Sequence, residues 1–280
     1  MTNKCRAGKI ALILVGALTI PLHAVAADAP AATDQAAAAD QEADLAKKLS
    51  NPIAALISVP FKVDFDSGIG TADAGRTTFV VQPVIPISLG EDWNVISRTI
   101  VPFVDAQSPT VGGDSASGMA DILQSLFFSP KAPTASGWIW GAGPAVSLPT
   151  GNSSFGSGKW SLGPTAVLLK QESGWTYGVL VNQLWSVAGS SSRDSVSAAF
   201  VQPFLSYTTP TFTTIGLNTE TSYNWQTSQA TVPINVTVSQ LVKLGGQPVS
   251  FLFGGRVYAN RPSGGPDWGL RFQVTLLFPK

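Results

Sequence analysis

From Val59 to the C-terminus the chain keeps a two-residue beat, and few folds accommodate it. The closing stretch shows it plainly. Leu270, Phe272, Val274, Leu276 and Phe278 are apolar, while Arg271, Gln273 and Thr275 between them are polar. Successive side chains of a strand point to opposite faces, so such a run makes a ribbon with one greasy side and one wet side. A soluble sandwich turns the greasy side inward to a core. A membrane barrel turns it outward to lipid and keeps the polar side chains in its lumen. Which side is the inside decides the fold.

The same beat runs through "VPFKVDF", "TTFVVQPVIPIS", "WNVISRTIVPFV", "MADILQSLFFS", "WIWGAGPAVSLP", "KWSLGPTAVLLK", "WTYGVLVNQLWSV", "SAAFVQPFLSY", "FTTIGLNTETSYNW", "TVPINVTVSQLV" and "PVSFLFGGRVYAN" before the closing stretch. That makes twelve strands, mostly of roughly ten to fourteen residues. A transmembrane strand needs about 9–11 residues, whereas soluble strands average about five or six. Longer connections (67–76, 106–117, 150–158, 188–196, 226–230, 261–267) alternate with short turns such as "LGED", "QESG" and "KLGGQ". Even strand number with short turns at one end is the outer-membrane arrangement. The expected fold is all-β, a 12-stranded antiparallel transmembrane β-barrel with a short helical N-terminal segment.

Tryptophan positions bear on the choice of face. Trp93, Trp138 and Trp175 open strands after short turns, and Trp160, Trp185, Trp225 and Trp268 border the longer loops. Trp140 is set one or two residues inward. Indoles favour the headgroup level, so two aromatic girdles fit a bilayer. Charged residues are 12% of the chain, against about 25% in soluble domains. No apolar run after the first thirty residues approaches the ~20 of a helical span. Pro83, Pro86, Pro102, Pro144, Pro164, Pro203 and Pro233 fall inside strands, where each removes a ladder donor and calls for a bulge or bend.

The N-terminus reads as an export signal. Lys4, Arg6 and Lys9 precede the apolar "IALILVGALTIPL", and "HAVA" offers small residues for cleavage. That layout gives a signal peptide over 1–26, a flexible or weakly helical periplasmic lead-in over 27–50, and the barrel over 51–280. In "NPIAALIS", Asn51 suits a cap and Pro52 a first helical position. The segment either closes one barrel mouth or rests at the membrane interface. Cleavage removes Cys5 and His23, the one cysteine and the one histidine. The mature chain then lacks the base of Ser-His-Asp and Cys-His catalysis and the usual zinc ligands. An enzyme is disfavoured, and no cofactor or metal is implied. Three of seventeen Lys and Arg leave as well, so fourteen face seventeen Asp and Glu, a net charge of about −3. Without a basic patch, nucleic acid is no partner.

The phrases "NPIAALISVPFKVDFD", "SRTIVPFV", "GMADILQSLFFSP", "GAGPAVSLPT", "GPTAVLLKQ", "WTYGVLVNQLWSVAG", "QPFLSYTT" and "RFQVTLLFPK" resemble the outer-membrane transporter family of the phenol-degradation (meta-pathway) gene context, whose members are sometimes labelled neuromedin U. The resemblance runs from about residue 42 to the end and carries no catalytic signature. It implies a porin-like Gram-negative outer-membrane barrel that takes up small, hydrophobic or aromatic molecules. Its partners would be outer-membrane lipid, the barrel-insertion machinery and the permeant, with both termini periplasmic. The chain departs from the general outer-membrane pattern in ending Phe278-Pro279-Lys280, which sets the terminal aromatic back two places.

Taking the apolar parity as outward, the opposite parity supplies lumen residues: Lys62, Asp64, Asp66, Arg98, Asn218, Glu220, Arg256, Arg271 and Gln273. Around Arg98 and Asp121 parity alone is undecided. An Arg or Lys on the lipid face costs about 2–4 kcal/mol at mid-depth, which favours the interior. Closure sets the first strand beside the last, so an Asp64–Arg271 ion pair is expected with Arg256 close by. Such a cluster either constricts and selects a permeant or fills the lumen and holds register. A barrel with a filled lumen would be structural or adhesive.

Overall fold

The structure, a computed structural model, describes residues 32–279. The signal peptide and residues 27–31 of the lead-in lie outside the described residues. Among the described residues there are one helix and fifteen strand segments. Three strands are each interrupted once, so the segments make twelve strands: β1 (Ile57–Ile69), β2 (Ala74–Val81 and Val84–Leu89), β3 (Trp93–Ala106), β4 (Ala116–Met119 and Ile122–Pro130), β5 (Trp138–Leu148), β6 (Lys159–Glu172), β7 (Trp175–Gly189), β8 (Ser197–Thr208), β9 (Thr213–Thr219 and Thr221–Asn224), β10 (Gln229–Leu244), β11 (Gln247–Asn260) and β12 (Trp268–Phe278). Each pairs antiparallel with the next. β12 pairs with β1 from Ile57 opposite Phe278 to Ser67 opposite Trp268, which closes the barrel. A closed barrel has no unpaired edge, the condition for crossing lipid with strands.

Exposure settles which face is the inside. Leu270 and Phe272 are 41% and 46% exposed, while Arg271 and Thr275 between and beyond them are 6% and 1%. The greasy side therefore looks outward along β12. The tryptophans stand on that outer face, with Trp93, Trp138 and Trp175 as first residues of β3, β5 and β7. Trp93 meets Trp140 edge to face at 5.8 Å, and Trp175 packs on Tyr207 at 4.9 Å. At the opposite rim Phe65 meets Trp268 at 6.0 Å.

The prolines mark where pairing lapses. Pro144 of β5 sits directly opposite Pro164 of β6. Each missing donor is felt on the far side: the β4–β5 register lapses between Ser125/Ala145 and Phe128/Ala142, and the β6–β7 register between Leu162/Trp185 and Thr165/Asn182. Pro83 lies in the break of β2, and Pro233 lies at a register shift between β10 and β11. The expected loop over 67–76 is corrected by the structure. β1 runs to Ile69 and β2 starts at Ala74, with a register shift between Asp66 and Ile69. Gly68 and Gly70 adopt positive φ of 83° and 68°, so the glycines encode a bulge and a tight turn instead of a long loop.

The N-terminal segment covers the mouth at which the short turns cluster. Helix α1 (Ala32–Leu49) is Ala-rich, carries an Asp44–Lys48 pair at 2.7 Å and has Lys47 and Lys48 in its last turn, where they suit its dipole. Pro52 disfavours helix at the residue before it. Asn51 instead makes a turn, its Oδ1 accepting from the Ile53 amide at 2.9 Å. The helix is tied to two separate strands of the wall. Gln171 of β6 donates to the Lys47 carbonyl at 2.8 Å, and Lys243 of β10 pairs with Glu42 at 3.1 Å. Leu45, Ala46, Ala54 and Leu56 are buried with Leu241 and Leu277 of the barrel. Each fully buried leucine contributes about 1.5–3 kcal/mol, enough to seat the segment. Of the two sequence readings for 51–58, closure of the mouth is the arrangement found.

Candidate functional site

Inside the barrel the first and last strands present an ionic ladder. Asp64 and Arg271 are directly opposite in the β1–β12 register. Arg271 donates to both oxygens of Asp64, from Nε at 2.6 Å and Nη2 at 3.0 Å. It also donates to Glu220, from Nη1 at 3.0 Å and Nη2 at 2.7 Å. Two forks on one planar guanidinium use the geometry that distinguishes Arg from Lys. Arg256 stands beside it, 3.4 Å from Asp64, 3.2 Å from Asp66 and 3.5 Å from Glu220, while its Nε donates to Asn235 Oδ1 at 2.6 Å. Lys62 approaches Asp64 at 3.5 Å.

Glycines make room for this crowding. Gly269 lies in the rung between Arg256 and Asp66, and Gly254 is the neighbour of Arg271. A Cβ on Gly269 would come within 2.7 Å of Asp66 Oδ1. Without one, Arg256 reaches across β12 to β1. Glu220 occupies the interruption of β9 between Thr219 and Thr221, which lets it turn toward both arginines.

Six residues singled out in the sequence thus meet in one cluster: Lys62, Asp64, Asp66, Glu220, Arg256 and Arg271. Asn218 joins through Asn235, whose Nδ2 donates to its Oδ1 at 3.0 Å. Gln273 stands one rung from Asp64, opposite Lys62, and donates to Thr275 Oγ1 at 3.0 Å. Arg98 lies apart on β3, two strands from β1, with the Gln82 amide 3.1 Å from its Nε. Asp121 is at the break in β4, where it accepts from the Gly151 and Ser157 amides at 2.9 and 2.8 Å and so anchors the 149–158 loop.

Sequence reasoning missed three members. Arg76 donates to Asp66 Oδ2 at 2.8 Å and was hidden by the glycine-rich turn. Tyr258 donates to Asp66 Oδ1 at 2.7 Å, and its luminal parity was available from Arg256 two residues earlier. Asn235 begins the polar Asn235, Thr237, Ser239 series of β10, which was legible. Also missed was an apolar wall. Val84, Ile96, Phe127, Val167, Leu169 and Leu180 are buried inside the barrel with Ile53 of the N-terminal turn among them. The lumen is therefore divided: its ions gather along β1, β9–β12 and the start of β2, whereas along the rest of β2–β7 these apolar side chains alternate with the small hydroxyls of Ser125, Ser129, Ser161, Thr165 and Thr176, and Arg98 is the charge among them. Between the N-terminal segment and the ionic cluster it holds a cavity of about 270 Å³.

No family model matches the sequence, and no curated protein matches it. Among solved structures, the fold is similar to an outer membrane channel from Pseudomonas putida F1, at 14% identity and TM-score 0.61, covering 80% of this chain and 94% of that one. Outer membrane phospholipase A from Escherichia coli matches at 11% identity and TM-score 0.46, over 79% and 92% of the two chains. The β domain of a Bordetella autotransporter matches at 10% and 0.45, over 80% and 100%. The first likeness places the fold among outer-membrane barrels.

Proposed function

We propose that the protein is an outer-membrane channel through which small, hydrophobic or aromatic molecules pass passively, with both termini in the periplasm. The observation that carries this reading is the divided lumen. An apolar wall gives a hydrophobic solute a surface to follow, and the ladder opposite presents charges that are already paired and bind no hydration shell tightly. The resemblance to the phenol-degradation transporter family and the fold likeness to a channel support the same reading. Insertion would rest on the barrel-insertion machinery and surrounding lipid. Lys62, Asp64, Asp66, Glu220, Arg256 and Arg271 form the constriction. Asn218 and Gln273 line its periplasmic side. The girdle tryptophans fix its depth in the bilayer.

Passage through the short-turn mouth requires α1 and the Ile53 turn to shift, because they cover it. The rival reading is a filled barrel with a structural or adhesive role, and the seated Ile53 is what favours it. Liposome swelling with solutes of graded size separates the two. The channel reading expects uptake of small solutes with a sharp size limit, and faster uptake when residues 32–56 are deleted. No uptake by either protein, both shown to be folded by heat-modifiable gel migration, would leave the filled barrel.

A further inference from the structure

Arg98 differs from the other arginines inside the barrel. Arg76, Arg256 and Arg271 each have a carboxylate oxygen within 3.2 Å. Among the described residues, none lies within 4.0 Å of Arg98. What faces its guanidinium is the Gln82 amide, one neutral acceptor shared by Nε and Nη2. A guanidinium carries five N–H donors, so most of its capacity points elsewhere. Elsewhere is the cavity, since both Arg98 and Gln82 line it.

The lining of that cavity has one sign. Its charged members are Arg98 and Lys48, and no Asp or Glu is among them. Lys48 is paired with Asp44 at 2.7 Å on the helix surface, which leaves Arg98 as the charge in the lining with no carboxylate in contact; Glu220, held by Arg271, acts on it only from a distance. The ladder's carboxylates are turned to their own arginines a short way off. Beside Arg98 the wall is apolar: Val84 is its direct partner on β2, and Phe204 of β8 reaches the same space. Leu49, Leu56 and Leu252 add to the apolar surface, and serine, threonine and amide side chains stand among them. At about 30 Å³ of liquid per water, 270 Å³ equals roughly nine waters. The space suits one ring-sized molecule.

We propose that this cavity is a binding site for a small organic monocarboxylate, its carboxylate on Arg98 and its apolar body against Val84 and Phe204. A planar guanidinium offers a carboxylate two parallel hydrogen bonds. An unpaired cation in a half-buried chamber gains most from the ligand that neutralises it, and the apolar side chains of the lining take the ligand's body. A dication finds no carboxylate there, and a sugar would leave the apolar surface beside Arg98 unused. The inference rests on the channel reading for how the ligand arrives, though not for whether it binds.

The test is calorimetric titration of the purified full-length protein in detergent with benzoate and with benzamide, its neutral isostere. The expected result is benzoate tighter by at least about tenfold, which is about 1.4 kcal/mol. Hexanoate should bind and hexanamide should not compete. In Arg98→Gln the benzoate preference disappears, and in Arg98→Lys it survives in part, because Lys supplies the charge without the fork. Equal affinity for benzoate and benzamide in the unmodified protein overturns the proposal without recourse to any variant. So does a benzoate preference that persists in folded Arg98→Gln. Benzoate binding by a protein that admits no solute in liposome swelling would sink the channel reading and leave this site standing.

Discussion

Replacing Asp64 by alanine should destabilise the barrel more than replacing Arg271, although both substitutions delete the same ion pair. The reason is charge balance. Four cations, Lys62, Arg76, Arg256 and Arg271, share three carboxylates, Asp64, Asp66 and Glu220. Asp64→Ala leaves four cations on two acids. Arg271→Ala leaves three on three, with Asp64 still 3.5 Å from Lys62 and 3.4 Å from Arg256. The side chains are 8% and 7% exposed, so water screens little. Stranding a buried charge costs about 3–5 kcal/mol, and that is the expected loss for Asp64→Ala. Losing hydrogen bonds while the charges stay matched costs less, about 1–3 kcal/mol. Urea titration in phospholipid vesicles, followed by tryptophan emission, reads both as midpoint shifts at constant slope. An Arg271→Ala loss equal to or larger than that of Asp64→Ala would refute the balance argument. It would mean that pairwise contacts alone set the stability.

Four further substitutions probe the rest of the architecture. Phe272→Arg puts a cation in mid-strand on the outer face and should cost about 2–4 kcal/mol in the same titration; the luminal neighbour Gln273→Glu, which sets a carboxylate opposite Lys62 in a cluster with one cation in excess, should cost far less, and equal costs would contradict the assignment of faces. Phe127→Ala empties a site of 0% exposure in the apolar wall, with an expected loss of about 3–5 kcal/mol; a loss below about 1 kcal/mol would show the wall to be loosely packed. Leu45→Asp sets a carboxylate into the contact between α1 and the barrel, where Leu45 is 2% exposed. Single-channel conductance should rise, and an unchanged conductance with α1 newly open to protease would show that the helix does not cover the path.

What could be read from the sequence was what alternates. Phe272 and Arg271 differ enough in chemistry that parity assigns their faces, and closure of an even-numbered barrel then sets Asp64 against Arg271. The apolar wall gave no such signal. In "VIPIS", Val84 is 8% exposed and Ile85 44%, yet both are β-branched aliphatics and neither marks its side. Ile96 and Phe127 sit likewise in stretches that are apolar on both faces. The N-terminal turn was unreadable for another reason. Ile53 is buried by Val84, Ile96 and Phe127, and a local pattern of six residues cannot name partners that distant. Arg76 was lost to the glycines, which announced a loop where the chain makes a bulge.

The division of the lumen follows from its narrowness. A wide pore hydrates its charges, but a twelve-stranded barrel brings side chains from opposite walls into reach. Each luminal ion must then find a partner or stay beside water. Clustering the acids and bases of β1 and β9–β12 in one network meets that condition, with Gly254 and Gly269 providing the space. The other wall needs no such network: Val84, Ile96 and Phe127 seat Ile53, and the neighbouring Ser129 is satisfied by donating to the Trp140 carbonyl at 2.8 Å. Arg98 belongs to neither solution. It stands on β3, within the wall that carries no other ion beside it, next to Val84 in the β2–β3 register and facing the cavity. A cation kept there with one amide for company is tolerable as long as solvent or a ligand reaches it. Its position therefore ties the charge of the cavity to whatever occupies the space between the helix and the ladder.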